Sequence, residues 1–417
     1  MWNRRQFLTR TLQGSSLLAL NAVVPQFIFR SAQAAAPGKD TILVVLEMTG
    51  GNDGLNTVIP YADDLYHKAR PTLRQTDRTV IRLNDQVGLH PGLQGLRPLW
   101  DQGKLAVVQG VGYPNPIRSH FESMDVWHTG TLQQASKTGW LGRASAELEN
   151  GSGAVPILHL GPNGQPLALA GAPAGGAVTV NQDNAFRLDL GGSETERRKG
   201  RRKLLEDLAG SPTDPNDGEH AENLVSFVQR RQLQTLTAVE QLRALLEAGG
   251  AKFKQGYGLS QRLQIIAGLI EKGFGTRIFY VSLDGFDTHS AQESTHQNLL
   301  SDLSDSIYRF FETLKSTGHD ERVKLLTFSE FGRRVKENDS RGTDHGAGSC
   351  LFVAGPSVQG GVVGNHPSLA DLDDGDLKYH TDFRSIYATL LDDWLGCDSK
   401  AVLGQRWDHL APLGSKA

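Results

Sequence analysis

Residues 323–361 read VKLLTFSEFGRRVKENDSRGTDHGAGSCLFVAGPSVQGG, and the apolar runs at the two ends of this stretch decide the fold. Valine, leucine and phenylalanine cluster in VKLLTF and in SCLFVAGP, each run closed by a polar or Gly-Pro signal, which is the pattern of a short buried β-strand. Glu330 falls at the carboxyl end of the first run, and Asp344 with His345 stands just before the second. Ligands of open α/β sheets bind beyond the carboxyl ends of the strands. The stretch therefore aims carboxylates and an imidazole at one crevice.

Three further runs read as buried parallel strands: TILVVLE (Thr41–Glu47), KLAVVQGVG (Lys104–Gly112) and TRIFYVSL (Thr276–Leu283). Each ends in a segment with chemistry. After the first, GGNDG lets the backbone turn sharply at Gly50, Gly51 and Gly54. It either presents Asp53 above the sheet or is a plain Asn-Asp-Gly turn. After the second, Ser119 with Glu122 three residues later has the form of a capping box. Ser119 is then a helix cap, or a hydroxyl held where a helix N-terminus favours an anion. His120 beside it orients a substrate or packs. After the third, DGFDTHSAQ gathers Asp284, Asp287 and His289 within six positions. Two carboxylates and an imidazole so close call for a cation or a hydrogen-bond network, and this mixed donor set suits zinc, manganese or iron better than calcium. A helix with Leu300, Leu303, Ile307, Phe310 and Leu314 on one stripe follows. A last helix, capped by Thr381 or Asp382, carries Ile386, Leu390 and Trp394 inward, with His380 before it as a further ligand candidate or a structural residue.

The 417 residues suit one large α/β domain or two smaller ones. Asn3-Arg4-Arg5-Gln6-Phe7-Leu8, an apolar run from Leu17 to Val24 and Ala32-Gln33-Ala34 have the form of a twin-arginine signal with its cleavage site, giving a signal peptide over 1–34 and a periplasmic or secreted product. Its loss would take four of the 43 basic side chains and none of the 46 acidic ones, leaving a net charge of −7 that argues against a nucleic-acid partner. No run reaches the ~20 apolar residues of a membrane span. The expected partners are the twin-arginine translocase during export and a small anionic substrate. Residues 139–190 read as β-rich. About 193–250 reads as a helical insert that caps the sheet, and its basic run from Arg197 to Lys203 as a solvated helix face. A Cys350–Cys397 disulfide is possible in an oxidising compartment.

The motifs RRQFL, GGNDGLN, RSHFESMDVWHTG, GFDTHSAQ, TFSEFGRR, GTDHGAG and TDFRSIYATLLDDWLG, in this order, resemble the twin-arginine-exported family called domain of unknown function 1501. Through it they resemble the alkaline phosphatase superfamily, which includes sulfatases and cofactor-independent phosphoglycerate mutases. The resemblance implies that residues 35–417 form one α/β domain, with a mostly parallel central sheet and helices on both faces. It implies one or two divalent ions, zinc or manganese first. Asp53 (or, less closely, Glu47), Asp284, His289, Glu330 and His345 would be metal ligands, and Ser119 the nucleophile. Two departures stand out. Phe331 occupies the place of a second-metal histidine, and His289 follows Asp284 by five positions instead of four. Asp344 is then a compensating ligand, and Asp287 a ligand or a neighbour that holds one. Arg333 and His120 would stabilise charge on the transferred group.

Three functions stay open at this point. The first is an exported metal-dependent hydrolase of phosphate or sulfate esters. The second is a binding or assembly protein that keeps the fold without catalysis, and the third a mutase or transferase on the same scaffold.

Overall fold

The computed structural model of the protein describes residues 40–133, 136–148, 155–172, 177–180 and 258–414. The signal segment 1–34 and the helical insert at 193–250 lie outside them. Among the described residues nine strands form the main sheet: β1 (Ile42–Thr49), β2 (Leu105–Gly112), β3 (Ile157–Leu160), β4 (Ala177–Val180), β5 (Ile278–Asp284), β6 (Val323–Phe328), β7 (Ser349–Ala354), β8 (Gly361–Val363) and β9 (Thr381–Asp382). Their spatial order is β8-β2-β7-β6-β1-β5-β3-β4, with β9 also pairing β2. All pairings are parallel except those of β7, which runs antiparallel to both β2 and β6.

That exception matters for the site. An antiparallel neighbour needs no crossover, so the loop leaving the carboxyl end of β6 returns to β7 at the same edge of the sheet. It folds back on itself, with Gly332 N–H on Ala347 O, Arg334 N–H on Asp344 O and an isolated bridge between Arg333 and His345. The carboxyl ends of β1, β2, β5 and β6 and the start of β7 consequently share one rim.

Both faces of the sheet are covered, which is why its strands read as continuous apolar runs. Ile42, Val44, Leu46 and Met48 of β1 pack on one side with α3 (Leu259–Glu271) and α4 (Gln292–Ser316). Leu43 and Val45 pack on the other with α1 (His120–Thr129), α2 (Trp140–Leu148) and α5 (Phe383–Thr389). The expected stripe of α4 is buried, as are Ile386, Leu390 and Trp394, and Asp382 caps α5 by accepting from Arg384 N–H at 3.0 Å.

The 139–190 region meets the β-rich expectation in part: VPILHLG and AGGAVTV hold β3 and β4, FRLDLGG lies outside the described residues, and two segments differ. Its first part is the helix α2, whose Trp140, Leu141 and Ala144 face the core, and QPLALAG is a single 3-10 turn, Leu167–Leu169. The alanines and leucine of WLGRASAEL are good helix formers, and their helical spacing outweighs the aromatic start. Cys350 and Cys397 are both free and buried, in the cores on opposite faces of the sheet, so the sheet itself separates them and the possible disulfide is ruled out. Among the described residues no helix is long and apolar enough to cross a membrane.

Candidate functional site

Three loops meet at the shared rim. Gly50 and Gly51, at φ +118° and +73°, carry the chain out of β1 in conformations that L side chains rarely adopt. A Cβ on Gly50 would lie 2.4 Å from Asp287 N, and one on Gly51 2.2 Å from the Phe331 ring. The glycines are there so that the loops after β5 and β6 can close against the loop after β1. Arg333, 1% exposed, fastens the three together. Its Nε donates to Gly51 O at 2.6 Å, its Nη1 to Thr343 O at 2.9 Å, and its Nη2 to Gly50 O, to Phe286 O at 3.1 Å and to Asp287 Oδ1 at 2.7 Å.

Around Asp287 stand three histidines, each held in the same way. His345 Nδ1 donates to Arg118 O at 2.8 Å, and a carbonyl can only accept, so the proton is on Nδ1 and Nε2 presents a lone pair. His289 Nδ1 meets the Asp344 carboxylate at 3.2 Å and His120 Nδ1 the Glu330 carboxylate at 2.8 Å, contacts that favour a proton on Nδ1 in each. The three Nε2 atoms turn toward Asp287: His289 and His345 lie 3.0 and 3.3 Å from its Oδ1, and His120 lies 3.5 Å from its Oδ2. His289 Nε2 and His345 Nε2 are 2.9 Å apart. Two lone pairs at that separation repel unless a proton or a cation lies between them. His120 Nε2 is buried without a hydrogen-bond partner. His120, Asp287 and His345 offer atoms within 4.8 Å of one another. Two imidazole nitrogens and one carboxylate, with His289 Nε2 beside Asp287 and His345, are donors that zinc or manganese accepts, and each imidazole is braced through its other nitrogen as metal-bound histidines usually are. These residues fit a divalent ion.

The electrostatics agree with the geometry. Burial pushes the Asp287 carboxyl up, but the Arg333 guanidinium and its hydrogen bond outweigh it, so the group sits below the usual carboxylate range and stays ionised. The hydrogen bond that His120 donates to Glu330 raises His120 above the ordinary histidine value against the effect of burial.

Of the ten site residues expected from the sequence, His120, Asp287, His289 and His345 converge with their donor atoms facing one another, and several expected roles change. Asp53 is not a ligand. It is fully buried, and its carboxylate is spent on Arg70 (2.5 and 3.1 Å), Gln292 Nε2 (2.5 Å) and Asn56 N–H (3.3 Å). Glu47 is not one either. It lies on the opposite sheet face from Met48, in a buried network with Thr49 Oγ1, Tyr280 Oη and His128 Nε2. Asp284 is exposed, and among the described residues no hydrogen bond or ion pair joins it to the cluster; the carboxylate that faces the histidines is Asp287, three residues on. Glu330 (1% exposed) and the exposed Asp344 hold His120 and His289 from behind. Glu330 also accepts from Gly50 N–H and Ser329 Oγ, and Asp344 from Asn338 Nδ2. Arg333 is too fully engaged with backbone carbonyls to meet a transferred group. His380 is exposed and bonds through its backbone to Gly110 O.

Ser119 occupies the N-cap position of α1, but its side chain makes no capping bond. It lies between Arg118, whose carbonyl holds His345, and His120. Phe331 is buried, its ring 4.9 Å from that of His120 and 4.8 Å from that of His345, and walls the cluster where another histidine was expected. Reading by side-chain chemistry overlooked Arg118, because its contribution to the cluster is a backbone oxygen. The only sequence signal was its position directly before Ser119.

One consequence separates the two aspartates of DGFDTH. Asp287→Asn is expected to lower bound zinc by at least about tenfold at equal protein concentration, while Asp284→Asn leaves it unchanged, both read by elemental analysis after gel filtration. The reverse order would place the ligand at Asp284.

With the geometry in hand, the comparisons fall into place. The family profile "Protein of unknown function (DUF1501)" matches residues 40–410. The chain belongs to the DUF1501 family. No curated protein matches the sequence. Similar solved structures include the PsFucS1 sulfatase from Pseudoalteromonas sp. (10% identity, TM-score 0.41, 94% of this chain and 76% of that one). A protein of the alkaline phosphatase superfamily from Vibrio parahaemolyticus is also among them (11%, TM-score 0.42, 88% and 69%). So is alkaline phosphatase from the Antarctic bacterium TAB5 (10%, TM-score 0.31, 76% and 93%). Likenesses at these scores say nothing of the substrate or activity of this DUF1501 protein.

Proposed function

We propose that this DUF1501 protein is an exported metal-dependent hydrolase of phosphate or sulfate esters. The observation that supports it most is the convergence of three Nδ1-anchored histidines on the Asp287 carboxylate. His120, His289, His345 and Asp287 would hold one divalent ion, zinc or manganese by donor type. Such an ion supplies charge neutralisation for the ester oxygens and lowers the pKa of a coordinated hydroxyl.

The chain's own residues have distinct parts. Ser119 is the proposed nucleophile, its hydroxyl unspent on capping and its backbone at the start of α1, where N–H groups favour an anion. Glu330 keeps the proton on His120 Nδ1, so that Nε2 faces inward. Asp344 and Arg118 O do the same for His289 and His345. Arg333 keeps Asp287 ionised and fixed. Phe331 closes one wall of the cluster, against the rings of His120 and His345. The 34-residue leader and periplasmic delivery belong to the same proposal and rest on the Arg4-Arg5 motif.

The test is metal removal. Protein stripped with a chelator is expected to lose at least about 100-fold of its activity on aryl phosphate or aryl sulfate esters and to regain it with stoichiometric zinc or manganese. Wild-type protein is expected to bind a metal that His289→Ala loses. A protein that takes up no metal would sink the proposal. One that binds metal and turns over neither ester would support the second reading, a non-catalytic binding protein, which the buried Phe331 in place of a ligand favours.

A further inference from the structure

Residues 372–377 read LDDGDL, and Asp-Gly between two short strands is the sequence of a two-residue hairpin. Leu372–Asp373 and Asp376–Leu377 pair antiparallel, and Asp374 and Gly375 form the tip at φ +49° and +82°, the left-handed values this turn requires. The carboxylates of Asp374 and Asp376 meet two arginines, one from each of two segments that build the histidine cluster. Arg118 stands directly before Ser119. Its Nε lies 2.8 Å and its Nη2 2.6 Å from Asp376 Oδ2, and its Nη1 and Nη2 both lie 3.1 Å from Asp374 Oδ2. Arg334 follows the Arg333 fastener; its Nη1 donates to Asp374 O, and its backbone N–H to Asp344 O at 3.0 Å.

The two carboxylates differ in weight. Asp374 is 76% exposed, where an ion pair contributes little. Asp376 is buried, and the guanidinium that forks onto its Oδ2 is a charge-assisted hold in a place shielded from water. Arg118 serves the cluster with a different atom, the carbonyl that accepts from His345 Nδ1 at 2.8 Å. That carbonyl lies between β2 and α1, in a segment without helix or strand, where Asn115 takes a left-handed φ of +54°. Asn115, Pro116 and Arg118 line a cleft of 650 Å³, so the segment faces open space on that side. No ladder of strand bonds fixes such a carbonyl, and the side chain's grip on Asp376 does so instead.

We infer that Asp376 is a positioning residue for the histidine cluster: through the Arg118 guanidinium it holds the carbonyl that orients His345 and keeps its Nε2 turned inward. The inference rests on the metal-binding part of the hydrolase reading and goes beyond it. Among the described residues no hydrogen bond or ion pair joins Asp376 or the Arg118 guanidinium to the side chains of His120, Asp287, His289 or His345. Charge alone would give a different result. Removing a cation near the site would tighten metal binding and removing an anion would weaken it, whereas positioning makes both removals weaken it.

The experiment uses the intact purified protein, stripped of metal and titrated with cobalt(II) in competition with a chromophoric chelator, with the visible cobalt spectrum recorded at saturation. Arg118→Ala, which keeps the carbonyl, and Asp376→Asn are each expected to weaken cobalt binding about tenfold, the low end for lost support of a metal ligand, and to shift the cobalt absorption. The double variant is expected to bind no more weakly than the singles, because both remove one and the same hold. Asp374→Asn is expected to stay within about twofold of wild type. Three results would each overturn the inference: Arg118→Ala binding cobalt as tightly as wild type or more tightly, an unshifted spectrum, or a double variant whose loss is the product of the single losses. Should Asp376→Asn fold poorly, Arg118→Ala decides by itself, since that side chain is part-exposed. Wild-type protein that takes up no cobalt would sink the metal reading and this inference together, whereas wild-type binding with unchanged variants sinks the inference alone.

Discussion

Asp53→Asn is expected to cost about 3–5 kcal/mol of folding stability, the range seen when one partner of a buried ion pair is removed. Asp53 and Arg70 are both fully buried, 2.5 Å apart at their closest atoms. Arg70 also ties in the loop after β6, donating from Nε to Val335 O at 2.6 Å and from Nη2 to Arg334 O at 2.8 Å. An asparagine would leave the guanidinium without its charge partner, in a place water does not reach. The same pair has a pH signature. Burial alone would push the Asp53 carboxyl up, but the charge and hydrogen bonds of Arg70 bring it down to about 2, well below the ordinary carboxylate value. A folded-state pKa below the unfolded one means that the contribution, roughly 2 kcal/mol, is complete above the unfolded value. It is lost as pH falls from about 4 toward 2. Urea midpoints measured between pH 2.5 and 6 on wild type and Asp53→Asn should therefore draw closer at the acid end without meeting. A gap that stays constant over that range, or a loss below ~1 kcal/mol at neutral pH, would show that the pair is not the fastener described.

Ser119→Ala is expected to lower ester hydrolysis by a factor on the order of 10³ or more, with the melting temperature and the metal content unchanged. The stability forecast follows from the missing capping bond: a serine that caps a helix costs about 1 kcal/mol on replacement by alanine, whereas this one makes no such bond. Activity and stability thus separate the two roles left open by the sequence. A variant that melts several degrees lower while retaining activity would return Ser119 to a purely structural part. A threonine at the same position, which keeps a hydroxyl, is expected to retain part of the rate.

Much of the fold was legible because burial on both faces of a sheet leaves a simple mark. TILVVLE, KLAVVQGVG, TRIFYVSL, VKLLTF and SCLFVA all became strands, and the α4 stripe from Leu300 to Leu314 is buried as its spacing implied. What periodicity could not give was direction. Nothing in SCLFVAGP says that β7 runs against its neighbours, and that reversal is what brings His345 back to the rim beside His289.

The convergence of the histidines was legible in the sequence and that of the carboxylates was not, for a physical reason. His289 and His345 stand beside strand ends and reach the cluster, while His380, just before β9, stays outside it; a carboxylate takes its role from the cation that reaches it. Asp53 and Asp287 look alike in the sequence, each in a glycine- and aspartate-bearing loop after a strand. Arg70 neutralises the first inside the core; Arg333 steers the second toward three lone pairs while leaving it 47% exposed. By itself the sequence determined the strands, the rim at which the chemistry gathers and the imidazoles that stand there, because those depend on local apolar pattern and strand ends. The tertiary structure alone decided which acid faces the imidazoles and which nitrogen of each imidazole is offered. Those choices are made by partners that folding brings from far along the chain, two guanidinium groups and one backbone carbonyl, whose reach no local pattern encodes.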